Sequence, residues 1–169
     1  MEKFGLRLHP DKTRLIEFGR FATENRQRRG AGKPETFDFL GFTHACGQKL
    51  KTKGFLVRRL TIKKRLRATL QAVKHVLLRR RHEPIPQVGA WLRSVVTGYY
   101  RYHAVPGNIR ALTTFRREVV RAWLQALRRR SQRHRMNWRR FSAIANRWVP
   151  TPRILHPYPN ARFYAKYPK

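Results

Sequence analysis

Seven arginines, Arg128, Arg129, Arg130, Arg133, Arg135, Arg139 and Arg140, crowd one short stretch with no acid among them. Guanidinium forks bond phosphate oxygens bidentately, so this density predicts several phosphate contacts and an affinity that falls steeply with salt. Arg79-Arg80-Arg81 is a smaller patch of the same kind. Further chemistry is offered by Tyr99-Tyr100-Arg101-Tyr102. At helical spacing Tyr99 and Tyr102 continue an apolar stripe and read as core. Tyr100 and Arg101 fall on other faces, suited to stacking on unpaired bases and bonding phosphate, with Arg93 and Arg110 flanking them. Acid–base and metal chemistry find little. None of the eight Asp and Glu residues stands in an Asp-Asp pair. His44 and Cys46, two apart, lack the second ligand pair that zinc uses, so no metal site is predicted. His156 reads as structural.

The balance of charge points the same way. Among 169 residues, 40 Lys and Arg against 8 Asp and Glu give +32 at pH 7. Arginine (29) outnumbers lysine (11), which a GC-rich coding sequence favours, but such a bias does not remove acids, and no acid follows Glu118. With 41% hydrophobic and 12% aromatic residues the chain is no disordered basic tail and holds enough for a core. A compact body this cationic repels itself, so a polyanion is the expected partner, nucleic acid ahead of an anionic membrane surface. No stretch approaches the roughly 18 to 20 apolar residues of a membrane span. Met1-Glu2-Lys3-Phe4 has no apolar h-region, so an intracellular, cytoplasmic place is expected. Cys46 is the only cysteine and forms no internal disulfide.

These residues need elements to position them. Thr13 to Phe18 alternates like a half-buried strand, Gly19 to Pro34 reads as a basic loop, and Phe37 to Phe42 as a buried strand. Cys46-Gly47 turns into a hairpin over Gln48 to Leu60, with Gly54 near its bend. After Leu60 the period becomes helical. Ile62, Leu66, Leu70, Val73 and Leu77 mark a first helix with Thr61 as N-cap and Glu83-Pro84 as stop. Val88, Trp91, Leu92, Val95, Val96, Tyr99 and Tyr102 mark a second. After the break at Pro106-Gly107-Asn108, Leu112, Phe115, Val119, Trp123 and Leu127 mark a third; Trp138, Phe141, Ala145 and Trp148 mark a fourth. Together they predict a small antiparallel bundle. Prolines 150, 152, 157, 159 and 168 predict an extended tail, strapped down by Trp148, Tyr158, Phe163 and Tyr164. The fold class is therefore α+β, mostly α: a small antiparallel β portion over 1–60, a basic helical domain over 61–148 and an extended Pro-rich tail over 149–169.

Four segments carry a family likeness: Gly5 to Thr13 (GLRLHPDKT), Phe37 to Phe42 (FDFLGF), Trp91 to Asn108 (WLRSVVTGYYRYHAVPGN) and Trp148 to Pro159 (WVPTPRILHPYP). In order and spacing they resemble the C-terminal part of group II intron-encoded reverse transcriptase/maturases. The resemblance implies a palm remnant followed by the helical thumb with its maturase (X) domain. It implies that the metal-binding aspartates of the palm lie upstream of the first segment, so that this chain alone is not expected to polymerise DNA; nor is an appended His-Asn-type endonuclease domain expected.

By the same likeness Lys12 matches the palm-motif lysine, which steadies the leaving pyrophosphate only in an intact polymerase. Phe39, Leu40, Gly41 and Phe42 resemble the primer-grip hairpin, with both phenylalanines doubling as core. The implied ligand is structured RNA, a group II intron, bound at Arg93, Tyr100, Arg101, Arg110 and the Arg128 to Arg140 cluster, with Trp138 as core. An RNA/DNA template–primer duplex and a separately encoded palm and fingers polypeptide are further partners implied for the complete enzyme. Mg²⁺ is its expected cofactor, and none is expected in this chain. Two alternatives stand beside this reading: a subunit that rebuilds a reverse transcriptase with such a palm, and a generic nucleic-acid-binding protein or decayed remnant.

Overall fold

A computed structural model describes residues 5, 9, 13–130, 136–159 and 161. The fold is α+β and mostly helical, with five helices and a three-stranded antiparallel sheet among the described residues. In chain order these are α1 (Ala22–Arg28), β1 (Phe37–Phe39), β2 (Phe42–Gln48), β3 (Phe55–Thr61), α2 (Lys63–Arg79), α3 (Ile85–His103), α4 (Ile109–Arg128) and α5 (Trp138–Trp148). Two compact units result: residues 1–39 with 43–58, and residues 40–42 with 59–169. Leu40 to Phe42 belong with the helices. Among the described residues no helix is long and apolar enough to cross a membrane.

The sheet has the order β1-β2-β3. Phe37 packs edge-on against Phe18 at 5.0 Å and stacks on His44 at 4.9 Å. The Cys46 thiol donates to the Gly19 carbonyl at 3.7 Å. Residues 13–18 form no strand, because no neighbouring strand pairs with them and Leu15 is 98% exposed. The expected loop contains α1 instead. Its seven residues between Gly19 and Gly30 start with an acid, Glu24, in the first turn, and Arg28 pairs with that acid four residues on at 2.6 Å. Cys46-Gly47 does not turn; it lies within β2, and the bend falls at Lys49 to Gly54, where the Lys49 N–H donates to the Gly54 carbonyl at 2.8 Å.

Phe37 to Phe42 is not one strand. Leu40 and Gly41 have φ of +45° and +79°, left-handed backbone at both central positions of a two-residue hairpin. Type I′ turns need that geometry, and Gly supplies it without strain. The turn lifts Phe39 out to 58% exposure, so only Phe42 of the two expected core phenylalanines is buried.

The helical unit closes over one core. Leu77, Leu92, Val96, Leu112, Phe115, Val119, Trp123 and Phe141 are almost fully buried. Their three- and four-residue steps put one stripe of each helix inward. Trp123 meets Phe141 edge-to-face at 5.4 Å, and Tyr99 stacks on Phe115 at 3.7 Å. Helices α2 and α4 make the largest contact and run parallel: Asn108 bonds Thr61 where both begin, and Arg130 donates to the Glu83 carbonyl beyond their ends. Helix α3 returns between those ends and packs on α4 and α5.

The expected cap of α2 is displaced. Ile62 holds the cap position, with no side-chain hydrogen bond. Thr61 is engaged elsewhere: its N–H donates to Asn108 Oδ1 at 3.1 Å and its hydroxyl accepts from Asn108 Nδ2 at 2.7 Å. Residues 150–158 of the tail form neither helix nor strand and are strapped down by backbone, one imidazole and the Tyr100 hydroxyl. Leu155 and His156 N–H both donate to the Ala104 carbonyl, and His156 Nε2 donates to the Arg101 carbonyl at 2.6 Å. Tyr158 is 54% exposed and takes no part in the core. Phe163 and Tyr164 lie outside the described residues.

Candidate nucleic-acid interface

Helices α2 to α5 carry sixteen Lys and Arg, six on α2, two on α3, five on α4 and three on α5, against one acid, Glu118. The dipole of a helix favours acids in its first turn, yet α2 to α5 have none there. Helix α2 starts with exposed Lys63, Lys64 and Arg65, and α5 carries exposed Arg139 and Arg140 behind its cap. Cation and positive dipole end coincide at both places, each misplaced charge costing about 0.3–1 kcal/mol. A bound anion relieves both terms at once.

Along α4 the exposed Arg110, Arg117, Arg121 and Arg128 recur at steps of seven, four and seven residues. That is five helical turns, so the four share one line about 27 Å long. Glu118, beside it, accepts from Arg117 at 3.0 Å and Arg121 at 3.4 Å. Between α2 and α4 runs a groove of about 610 Å³. Leu70, Val73, Val119 and Ala122 give it an apolar floor, and Arg67, Lys74, Arg121 and Arg128 rim it. Trp138, 53% exposed, closes one side.

The arginine cluster is divided by this geometry. Arg129, Arg139 and Arg140 are exposed, and Arg128 is exposed with its Nε on the Met136 carbonyl at 3.0 Å. Asn137 caps α5 by accepting the Arg140 N–H at 2.9 Å, which fixes where Arg139 and Arg140 emerge. Arg130 does not face a phosphate: its guanidinium is bonded to the Glu83 carbonyl, and burial lowers its pKa. Arg133 and Arg135 lie outside the described residues, as does Lys12. In the smaller patch Arg79 and Arg81 are exposed, while Arg80 bonds Glu83 at 2.7 Å and lies over Trp91. The hydrogen bond raises the Arg80 pKa and lowers that of Glu83.

The tyrosines trade the places expected of them. Tyr100 follows Leu92 and Val96 at four-residue steps, which brings it under α3 to 4% exposure, its hydroxyl donating to the Pro150 carbonyl at 3.2 Å. It is not open to a base. Tyr102, off that line, is 50% exposed; its hydroxyl donates to the Leu40 carbonyl at 2.6 Å and its ring stacks on Phe42. Arg101 and Arg110 are exposed as expected. Arg93 is exposed too, but its guanidinium lies over Trp148 and donates to the Arg147 carbonyl. Trp138 is not core either. It is the first residue of α5, and Phe141, one turn on, holds the buried position.

Around Tyr102 the Leu40-Gly41 turn meets the start of α2: the Ile62 N–H donates to the Gly41 carbonyl at 3.2 Å. His103 sits behind it against Phe42 and Tyr99, its Nδ1 3.4 Å from the Thr61 hydroxyl. Burial lowers the His103 pKa, with the Arg65 charge adding to it. Thr61 already accepts from Asn108, so its own proton is free for His103. His44 and Cys46 are engaged with other partners: His44 stacks on Phe37 and Cys46 bonds Gly19. Among the described residues, no three His, Cys, Asp or Glu side chains converge to hold a metal ion.

Sequence reasoning missed Arg67, Lys74, Arg117 and Arg121 as interface residues. The seven-four-seven spacing on α4 carries that signal, but runs of adjacent arginines draw attention away from it. No protein-family profile, curated protein or solved structure matches the chain.

Proposed function

We propose that the helical unit is an RNA-binding module of the maturase kind. It docks the α2–α4 face on the backbone of structured RNA, a group II intron by the motif resemblance, and holds a splicing-competent fold while the RNA supplies the chemistry. The same face would grip a template–primer duplex where a catalytic palm completes a polymerase. One observation carries the reading: sixteen cations against Glu118 on four helices, with four arginines in a single line beside an open groove. Ordinary surface helices interleave signs for support at i,i+4, and these do not. A docked phosphate backbone supplies the missing negative charge and displaces its own counterions.

Competition binding tests it. With the full chain at moderate salt, a labelled group II intron RNA should resist displacement by bulk tRNA and by duplex DNA. Equal displacement by all three would reduce the protein to a generic polyanion binder and sink the maturase reading.

A further inference from the structure

We propose that the groove between α2 and α4 is a niche for one unpaired nucleobase, stacked on Trp138 while its flanking phosphates rest on Arg67 and Arg128. The inference rests on the nucleic-acid reading above and narrows it from backbone docking to recognition of a base out of its helix.

Four tryptophans are available for comparison, and three are in use. Trp123 is 1% exposed. Trp91 is half-buried with Arg80 over its ring at 5.3 Å, and Trp148 is half-buried between Arg93 and Arg147. Trp138 alone is more than half exposed, and among the described residues no guanidinium lies over it. Among the described residues its nearest ring, Phe141, is 6.1 Å away and tilted by 56°, so the indole stacks on none of them.

The groove beside it has the character of a small-ligand site. Its volume of about 610 Å³ lies within the roughly 300–1,000 Å³ of such clefts. An apolar floor suits the flat face of a base and gives nothing to a phosphate. The rim does the opposite. Arg67 and Lys74 are exposed and form no ion pair among the described residues. Among the described residues Arg128 bonds only through Nε, to the Met136 carbonyl, which leaves its terminal nitrogens to a ligand. The one acid lining the groove, Glu118, is held by Arg117 and Arg121 and so repels a phosphate little. Apolar floor, aromatic wall and cationic rim together match a nucleotide whose base is free. A continuous duplex keeps its bases stacked inside and offers the floor nothing.

The experiment titrates full-length wild type, Trp138→Phe and Trp138→Ala with four probes: an unstructured single-stranded RNA 12-mer, its DNA counterpart, a fully paired RNA duplex and inorganic polyphosphate. Wild-type tryptophan emission should be quenched by either single strand and not by polyphosphate, and Trp138→Phe should lose most of that quenching while keeping its affinity. Trp138→Ala should weaken single-strand binding about fivefold or more and leave duplex and polyphosphate affinities unchanged. Quenching that persists undiminished in Trp138→Phe overturns the niche, whether or not Trp138→Ala folds. Equal affinities of wild type and a folded Trp138→Ala for the 12-mer do the same, with RNA binding itself intact. If no probe binds even in dilute buffer, the niche and the broader nucleic-acid reading fall together.

Discussion

The indole of Trp148 lies over Gly89: a β-carbon at position 89 would stand 2.5 Å from both Cγ and Cδ2 of the ring. This contact brings α3 and α5 together, and Arg93 and Arg147 flank the same indole at 5.3 and 5.6 Å. The clashing atoms are ring carbons next to the Trp148 backbone rather than the far end of a flexible side chain, so they have little room to give. Gly89→Ala should therefore lower stability by about 1–3 kcal/mol through overpacking, against the small gain in helix propensity that alanine otherwise brings. Urea unfolding followed by circular dichroism measures it. In a Trp148→Ala background the cost of Gly89→Ala should nearly vanish, and a strictly additive double mutant would refute the contact.

Asn108 joins the starts of α2 and α4 with every polar atom of its amide. Oδ1 accepts the Thr61 N–H at 3.1 Å, and Nδ2 donates to the Thr61 hydroxyl at 2.7 Å and the His103 carbonyl at 2.8 Å. At 1% exposure no water replaces these bonds cheaply. Asn108→Ala should cost roughly 2–4 kcal/mol, since it strands a buried donor and a carbonyl. Asn108→Asp should be no better, because a carboxylate presents an acceptor to the His103 carbonyl where a donor is needed. Thr61→Val should cost less than either, as Asn108 keeps its other partners. Denaturant midpoints order the three variants; a neutral Asn108→Asp would contradict the bonding described.

Much of this fold is readable from periodicity, and the failures have physical reasons. Helices α2 to α4 follow the three- and four-residue steps of their apolar residues within two or three positions. Short elements are where it breaks down. Helix α1 has no apolar stripe and is stabilised by Glu24–Arg28 and its flanking glycines, which composition alone reads as loop. Leu40 takes a left-handed φ that leucine rarely adopts, so the FLGF run hides its turn. At the site, a helix end looks in sequence like a continuation of the apolar stripe. Tyr102 and Trp138 sit at such ends, where the core has already stopped, and their rings remain half in solvent. Arginine density located a basic face but not which guanidiniums are open, because Arg130 and Arg93 bind carbonyls far away in sequence.

Burial pushes the hydroxyls of Tyr99 and Tyr100 up to about 12, from an ordinary value of 10.0. A raised folded pKa means the unfolded chain loses its proton first. The stabilisation is complete below pH 10 and disappears as pH rises through 12. Stability should fall across that window, and Tyr100→Phe should make the fall shallower because one of the two groups no longer titrates. Urea midpoints taken on either side of pH 10 and near 12 decide it. An unchanged slope in Tyr100→Phe would mean that its hydroxyl is not shielded from water in the folded chain.

The line of Arg110, Arg117, Arg121 and Arg128 makes a quantitative demand on salt dependence. Each phosphate contact adds about 0.7–0.9 to the slope of log affinity against log salt, negative in sign. Changing all four to glutamine should flatten that slope by about 3 for a structured RNA, and Glu118, then left unpaired on α4, adds its own repulsion to the loss of affinity. Arg14→Gln with Arg20→Gln, both exposed in the first unit, is the control for net charge and should flatten the slope less per residue removed. Fluorescence anisotropy over a range of salt concentrations measures all three proteins, with circular dichroism confirming that α4 is intact. If removing the α4 line and removing the control pair change the slope equally per charge, RNA senses only total charge. The four-residue line would then have no privileged role, whatever its geometry.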